Sequence, residues 1–163
     1  MAGRLRLFLK DQHGAAAAEM ALILPLAMVL LFAAFEGAYY IICEHQVVTG
    51  VRNAARYAAR LDFSQYACPA ATFSGSTATI QNLARTGQLT GGTSRVQGWV
   101  DADITVTVTC LASQQGIYTA VGNYAPKVRV SSRFNYPSLM GQLGFTPSAL
   151  PIGASAESPV MGL

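Results

Sequence analysis

Residues 11–40 read DQHGAAAAEMALILPLAMVLLFAAFEGAYY and contain most of a long apolar run. The apolar run continues to residue 42 and is interrupted only by two acids, Glu19 and Glu36. About 20 apolar residues cross the hydrocarbon core of a bilayer as a helix. The stretch therefore predicts one membrane-spanning helix over 15–42. It also raises a question, because a carboxylate at Glu19 is costly beside lipid unless another group uses it.

The composition agrees with one modest domain on a membrane anchor. Of 163 residues, 52% are hydrophobic and only 12% are charged, which is richer in apolar residues than a typical soluble domain. Arg4, Arg6 and Lys10 precede the apolar run, so the positive-inside bias predicts a cytoplasmic N-terminus and export of the rest. The net charge of +3 forms no basic patch interleaved with aromatic residues, which argues against nucleic acid as a partner.

After the apolar run, residues 43–62 continue as an amphipathic helix. Apolar residues recur there at helical spacing: Val47, Val48, Val51, Ala54, Ala55, Ala58 and Leu61. Arg52, Arg56 and Arg60 follow one another at intervals of four and form a basic stripe on another face. The stripe is either a solvated or headgroup-contacting face, or it pairs with acids of a neighbouring subunit. Gly50 is expected to weaken the helix slightly, and Pro25 to bend it or open it locally.

Residues 63–163 predict an exported α+β domain. A short helix is expected near residues 77–86, with Ser76 or Thr77 as its cap and Gly87 at its end. Strict alternation predicts a strand over 103–110 that points Cys110 inward, and another over 127–136.

The remaining expected elements are less regular. Residues 95–100 are a candidate strand, residues 138–145 are expected to form one helical turn, and residues 149–160 a last strand. Pro151 and Pro159 confine that last strand to an edge or to a short length. The fold class is therefore α+β, with the outer half of a long N-terminal helix packed on a small antiparallel sheet.

Three cysteines accompany this architecture. Cys68 and Cys110 lie in the exported part, where oxidation is permitted, and we predict that they form a disulfide. It would close a loop of roughly 40 residues and stabilise the fold by about 4 kcal/mol in the chain-entropy model. The alternative is two separate buried thiols. Cys43 is expected to pack as a small apolar residue, with a lipid adduct as the alternative.

The sequence contains no recognisable catalytic set. His45 lacks a nucleophile or acid motif nearby, TGGTS at 90–94 lacks the lysine of a phosphate-binding loop, and Asp101 with Asp103 is typical of a turn. No cysteine–histidine cluster has metal-ligand spacing. We therefore predict no enzyme activity, no cofactor, no metal and no small-molecule substrate.

The segments HGAAAAEMALILPLAMVLLFAAFEGAYY and QVVTGVRNAARYAARL resemble the TadE-like family, pilin-like proteins of the bacterial tight-adherence (Tad) pilus system. The matching features are Gly14 before a run of small residues, Glu19 five positions later, Pro25, the Glu36-Gly37 pair and AARYAAR at 54–60. The resemblance covers residues 13–61. The exported part is larger than a major Tad pilin, which fits a minor pilin or pseudopilin.

The resemblance implies processing and assembly. A basic leader over residues 1–14 would be removed by a prepilin peptidase, which cuts between Gly14 and Ala15. Glu19 would then be the fifth mature residue, and pairing with the Ala15 amine of a neighbour would fix axial register. The alternative is that Glu19 lies at headgroup level and only helps the helix to begin. The implied partners are the membrane, the peptidase, other pilin-like subunits and the Tad machinery.

Three functions remain to be distinguished. The first is a pilin-like component of the Tad pilus in the bacterial inner membrane, needed for assembly and so for adhesion. The second is a single-pass envelope protein whose exported domain binds a partner or surface ligand without polymerising. The third is a secreted protein whose signal peptide is cleaved. The sequence near residue 37 lacks a good cleavage pattern for this third function.

Overall fold

The structure, a computed structural model, describes residues 13–112, 114–142, 144 and 150–162. The chain divides between Tyr39 and Tyr40 into two compact units, here called the N-terminal unit and the C-terminal unit. The described part of the N-terminal unit is helix, and the C-terminal unit combines helices with two antiparallel sheets. The predicted α+β class with a long apolar N-terminal helix is confirmed.

Helix α1 extends over His13–Ala58 and has 46 residues, about 70 Å at 1.5 Å per residue. It is long and apolar enough to cross a membrane, and its most apolar 18 residues include no buried one. Large apolar side chains there range from Phe32, 40% exposed, to Leu22, 77% exposed. Such a surface suits lipid rather than water. The helix continues through Pro25.

Helix α1 ends at Ala58, four residues before the predicted end at residue 62. The Leu61 amide donates to the Ala58 carbonyl at 3.1 Å, which tightens the chain into a turn. Asp62 then accepts a 2.7 Å hydrogen bond from the Ser64 amide and caps the short 3₁₀ helix Phe63–Gln65. Hydrogen bonding from the Ser64 side chain, and then from its amide, lowers the pKa of the Asp62 carboxyl. Asp62 therefore stabilises the turn that follows α1.

Helix α2 covers Thr77–Thr86, as its flanking residues predicted. The Ser76 hydroxyl accepts from the Thr79 amide at 3.2 Å, and Gly87 ends the helix with φ +80° while its amide donates to the Leu83 carbonyl. A positive φ favours glycine at this position. Ile80 and Ala84 form the buried face of α2.

The main sheet has three antiparallel strands in the order β3, β4, β5. Strand β3 covers Ile104–Leu111, β4 covers Ala125–Asn135 and β5 covers Pro151–Pro159. Val130 of β4 lies opposite Val106 of β3 and Ala156 of β5. Both prolines of β5 lie on an edge strand, as predicted, because an edge leaves room for a residue without an amide hydrogen.

Alternation along the strands is confirmed. In β4, Val128, Val130 and Phe134 are buried while Arg129 and Arg133 are exposed. In β3, Ile104 is buried, and the other inward residues, Val106, Val108 and Cys110, are half-buried. The single helical turn is also found, as α3 at Leu139–Gln142. The buried side of the sheet therefore faces the core of the C-terminal unit.

The prediction of a strand at 95–100 is wrong. Gly98 has a φ of +78°, which breaks an extended chain, and the segment forms turns. Val96 and Trp99 are nevertheless both 1% exposed. The Trp99 indole N–H donates to the Ser132 hydroxyl at 2.8 Å, and the indole stacks on Phe134 at 5.8 Å between ring centroids. This turn therefore supplies the largest fully buried side chain.

A second, smaller sheet lies in a segment for which no strand was predicted. Strand β1 at Tyr66–Ala67 pairs with β2 at Thr72–Phe73, with Tyr66 opposite Phe73. The two rings contact each other at 5.2 Å between centroids. Two-residue strands give no period-two signal, so the sequence pattern could not indicate them.

Candidate functional site

The predicted processing segment lies at the start of helix α1. The helix begins at His13, so the Gly14–Ala15 bond lies within its first turn. Gly14 is exposed, and a side chain there would meet no atom within 4 Å. Glu19 is exposed one turn further along the helix. The basic residues of the predicted leader, Arg4, Arg6 and Lys10, lie outside the described residues.

A second candidate contact surface in the N-terminal unit consists of small residues. Ala33, Ala34, Gly37 and Ala38 are all exposed and lie on adjoining positions of the helix. Small side chains allow another helix to approach closely in a membrane. Glu36, beside them, is half-buried and has an interaction within the chain.

In the C-terminal unit, one face of α1 forms the centre of the core. Its buried positions, all at most 1% exposed, are Cys43, Val47, Val51, Ala54, Ala55 and Ala58. Five of these six residues belong to the apolar set predicted from helical spacing, and the sixth, Cys43, packs as a small apolar residue as expected. Because this face is buried in the core, the rotation of this part of the helix about its own axis is fixed, and with it the direction of the opposite, polar face.

Gly50 lies on the same buried face and marks the closest approach of α1 to α2. A side chain at this position would collide with the backbone carbonyl of Ala84 and would come within 3.1 Å of the Trp99 ring. The sequence presented Gly50 only as a weak point of the helix. Its spacing from Val47 and Ala54 is the signal that placed it on the packed face.

The predicted disulfide between Cys68 and Cys110 is confirmed. The two Cα atoms are 5.8 Å apart, and the residues are 42 positions apart in the chain. The bridge joins the segment that follows β1 to the end of β3. It therefore ties the small sheet to the main one. Cys43 lies outside the bridge and is buried in helix α1.

The arginine stripe, defined as Arg52, Arg56 and Arg60, is exposed on the polar side of the chain opposite the packed face. Arg56 lies in the last turn of α1, and Arg60 follows its end. Within the described residues, none of the three has an ion pair or a side-chain hydrogen bond. The stripe is therefore a solvent-facing row of three positive charges.

In the described part of the chain, no three histidine, cysteine or acidic side chains are grouped to hold a metal. A groove of about 660 Å³ is lined by Val100, Asp103, Arg133 and their neighbours. There the Asp103 carboxylate accepts from the Val100 amide at 2.9 Å, so it closes a local turn. His45 is exposed on α1.

Tyr66 is a structural residue that the sequence did not indicate. Its side chain is buried, and its hydroxyl donates to the carbonyl of Ala58, the last residue of α1. Burial raises the pKa of Tyr66 to about 12, with a smaller contribution from Tyr57. The phenol therefore links the end of α1 to the small sheet, and it does so in its neutral form.

The stability of the C-terminal unit is expected to fall at alkaline pH through Tyr66. The folded pKa lies above the ordinary value near 10, so this contribution is complete below pH 10 and is lost as pH rises through about 12. Its size is about 3 kcal/mol, for two pKa units at 1.36 kcal/mol each. In urea unfolding followed by Trp99 fluorescence, Tyr66→Phe should lose less stability than the unaltered chain between pH 9 and 12. Equal losses would show that Tyr66 does not control the alkaline limit.

Comparison with known proteins gives one match. A family model described as TadE-like protein matches residues 14–56, which lie within helix α1. Neither the curated proteins nor the solved structures include a significant match to this chain. The matched region contains the apolar run and most of the packed face of α1, so the resemblance noted in the sequence is confirmed for that region. Residues 14–56 are therefore a TadE-like domain, the part of the chain for which the family resemblance is shown.

Proposed function

We propose that this chain is a pilin-like minor component of a bacterial Tad pilus, anchored in the inner membrane and required for pilus assembly and so for surface adhesion. The observation that carries the proposal is the TadE-like match over a helix whose apolar surface is exposed along its membrane-length part. In the assembly, that surface would contact lipid before incorporation and the helices of other subunits afterwards. The C-terminal unit would lie outside the membrane, where its disulfide can form.

Processing is the first step of this proposal. A prepilin peptidase would remove residues 1–14 and leave Ala15 as the new N-terminus. The absence of a side chain at Gly14, together with the open space around it, supports access of an enzyme to the Gly14–Ala15 bond. Removal of the leader would also remove Arg4, Arg6 and Lys10, the charges that favour retention of the N-terminus in the cytoplasm.

Gly14→Val is expected to block cleavage. The mature chain should begin at Ala15 when N-terminal sequencing or intact-mass measurement is applied to the membrane fraction, and the variant should keep its leader. Gly37→Val is the matched control, because Gly37 is also an exposed helical glycine with nothing within 4 Å of an added side chain. The control should be cleaved normally. A mature chain that begins at Met1 or Ala2 would instead favour a plain anchored protein.

After cleavage, Glu19 would set the register between neighbouring subunits. The new amine of Ala15 and the Glu19 carboxylate lie four residues apart, about 6 Å along the helix. A neighbour displaced along the axis by this amount would bring its amine beside Glu19. In a low-dielectric surrounding, an unpaired carboxylate is strongly disfavoured, so such pairing would select one displacement.

Glu19→Gln is expected to leave cleavage and membrane insertion unchanged and to reduce incorporation into pili by about tenfold, as for loss of roughly 1.4 kcal/mol at each contact. Quantitative immunoblots of sheared pili against the membrane fraction measure the ratio. Glu36→Gln is the control, since it removes the other acid of the apolar run. If Glu19→Gln lowered insertion and incorporation equally, the carboxylate would act in helix insertion and the register role would be excluded.

A further inference from the structure

The arginine stripe is the largest group of like charges without a partner in the described part of the chain. Arginines at intervals of four on a helix are neighbours and repel one another by a few tenths of a kcal/mol per pair. The helix dipole favours a cation in the last turn, which accounts for Arg56. It does not account for Arg52, which lies one turn earlier. Local helix stability therefore does not explain the stripe.

The direction of the stripe is fixed by the core behind it. Ala54, Ala55 and Ala58 lie between the arginines in sequence and are at most 1% exposed. Arg52 and Arg56 are about 6 Å apart along the helix axis, at 1.5 Å per residue, and Arg60 follows in the turn after the helix. Because the carrying helix cannot rotate within its unit, the charges of Arg52 and Arg56 have a fixed spacing and direction. A row of this kind matches carboxylates that recur once per turn on another helix.

The C-terminal unit of a second copy of this chain is a poor source of those carboxylates. Residues 40–163 contain eight basic and five acidic side chains. Asp101 pairs with Arg85 at 2.9 Å, and Glu157 pairs with Lys127 at 2.6 Å, which lowers the pKa of the Glu157 carboxyl. Asp62 and Asp103 each accept a backbone amide. Only Glu44 remains, and a unit with a surplus of positive charge repels its own copy.

A lipid surface is also a poor occupant. Helices that lie on membranes insert an apolar face beside their cationic residues. Here the apolar face of this part of α1 is buried in the core, and the residues beside the stripe are Asn53, exposed, and Tyr57, half-buried. Without an apolar face to insert, only the charges of the arginines would attract this part of α1 to a lipid surface. An acidic protein surface, in contrast, needs no apolar insertion.

We propose that the arginine stripe docks an acidic helix face of a different subunit of the same assembly, with carboxylates spaced one turn apart. This inference rests on the proposed function, because it names the chemistry of a neighbour in the pilus. At this contact, the present chain is the basic subunit and its neighbour is the acidic one. Self-association is disfavoured by the same charges, so contacts alternate between unlike subunits.

The binding test uses the full chain in zwitterionic micelles and a designed probe. The probe is an alanine-based helical peptide of about 20 residues with glutamates once per turn on one face, and its control has the same composition with glutamates around the helix. Fluorescence anisotropy should show that the one-face peptide binds about five- to tenfold more tightly, as expected for two or three exposed charge pairs. Arg52→Gln/Arg56→Gln should abolish the difference. Arg129→Gln/Arg133→Gln, an equal change of charge on β4, should retain it.

Three results would overturn the proposal. The first is equal binding of both peptides. The second is preferential binding of vesicles that contain phosphatidylglycerol, lost in Arg52→Gln/Arg56→Gln, which would assign the stripe to lipid. The third is self-association that depends on the stripe. Trp99 fluorescence verifies that each variant is folded, since this lone tryptophan is buried.

The cellular test separates this inference from the proposed function. Arg52→Glu/Arg56→Glu should still be cleaved to Ala15 and still reach the membrane, but it should reduce surface pili at least tenfold. Arg129→Glu/Arg133→Glu should form pili within about twofold of the unaltered chain. Normal piliation with the stripe reversed would reject the docking role alone. The proposed function would fail on results with the unaltered chain. Either its leader would remain intact in the cell, or deleting the whole chain would leave the number of pili unchanged.

Discussion

Replacing Gly50 with valine should destabilise the C-terminal unit by about 3 kcal/mol or more, the upper range for overpacking a core. The colliding atom is the backbone carbonyl oxygen of Ala84 in α2, which has no rotamer by which to move away. The Trp99 ring lies behind it at 3.1 Å from the added carbon. Relief therefore requires that the two helices separate, and Trp99 must then lose contacts as well.

The helix propensity of α1 works in the opposite direction. Valine is favoured over glycine in a helix interior by a few tenths of a kcal/mol, and alanine by about 1 kcal/mol. Gly50→Ala should therefore cost less than Gly50→Val but still destabilise. The order of the two variants distinguishes packing from propensity, since propensity alone predicts that both stabilise the chain.

Urea unfolding of the full chain in detergent, followed by Trp99 fluorescence, measures these changes. Asn53→Val is the control, because Asn53 is exposed on the same helix and its replacement should change the free energy of unfolding by less than about 0.5 kcal/mol. Stability of Gly50→Val equal to that of the unaltered chain would mean that α1 and α2 do not approach as closely as the structure has them.

Loss of the Cys68–Cys110 disulfide, by Cys68→Ala/Cys110→Ala, should cost about 4 kcal/mol in the chain-entropy model. Removal of native bridges typically costs 2–5 kcal/mol. The residues are 42 positions apart, so the bridge restricts a long segment of the unfolded chain. In the folded state it holds β1 and β2 to β3. The small sheet has two-residue strands and is not stable without such support.

The same unfolding measurement tests the bridge, with dithiothreitol as the matched condition. Reductant should lower the stability of the unaltered chain towards that of the double variant and should leave the variant itself unchanged. Thiol alkylation in cells adds a test of location, because Cys68 and Cys110 should resist alkylation only after export. Stability of the double variant within about 1 kcal/mol of the unaltered chain would show that the bridge is dispensable.

Much of the fold could be predicted from local patterns. The apolar run predicted the membrane-length part of α1, alternation predicted β3 and β4, and the Ser76 and Gly87 signals predicted the limits of α2. Each of these depends on residues that are neighbours in sequence, so period and capping are sufficient. The pairing of Cys68 with Cys110 was reached from the predicted location of both residues outside the membrane.

Other features could not be predicted because they depend on contacts between distant segments. Trp99 lies in a turn, and only its bond to Ser132 and its stacking on Phe134 show why that turn is buried. The Tyr66 hydroxyl similarly finds its acceptor at the end of α1. Among the candidate functional residues, the positions of Gly14, Glu19 and the arginine stripe follow from helix periodicity, but their proposed roles depend on other molecules.

The sequence by itself determined the anchor, the strand faces and the segment in which a processing site is proposed, because hydropathy and periodicity are local properties. Only the tertiary structure decided the meaning of Gly50, which changes from a weak point of a helix to the place where two helices meet. Only the structure, too, showed that the arginine stripe stands opposite a packed face without partners among the described residues. Both depend on which segments lie against each other, and no local pattern encodes that arrangement.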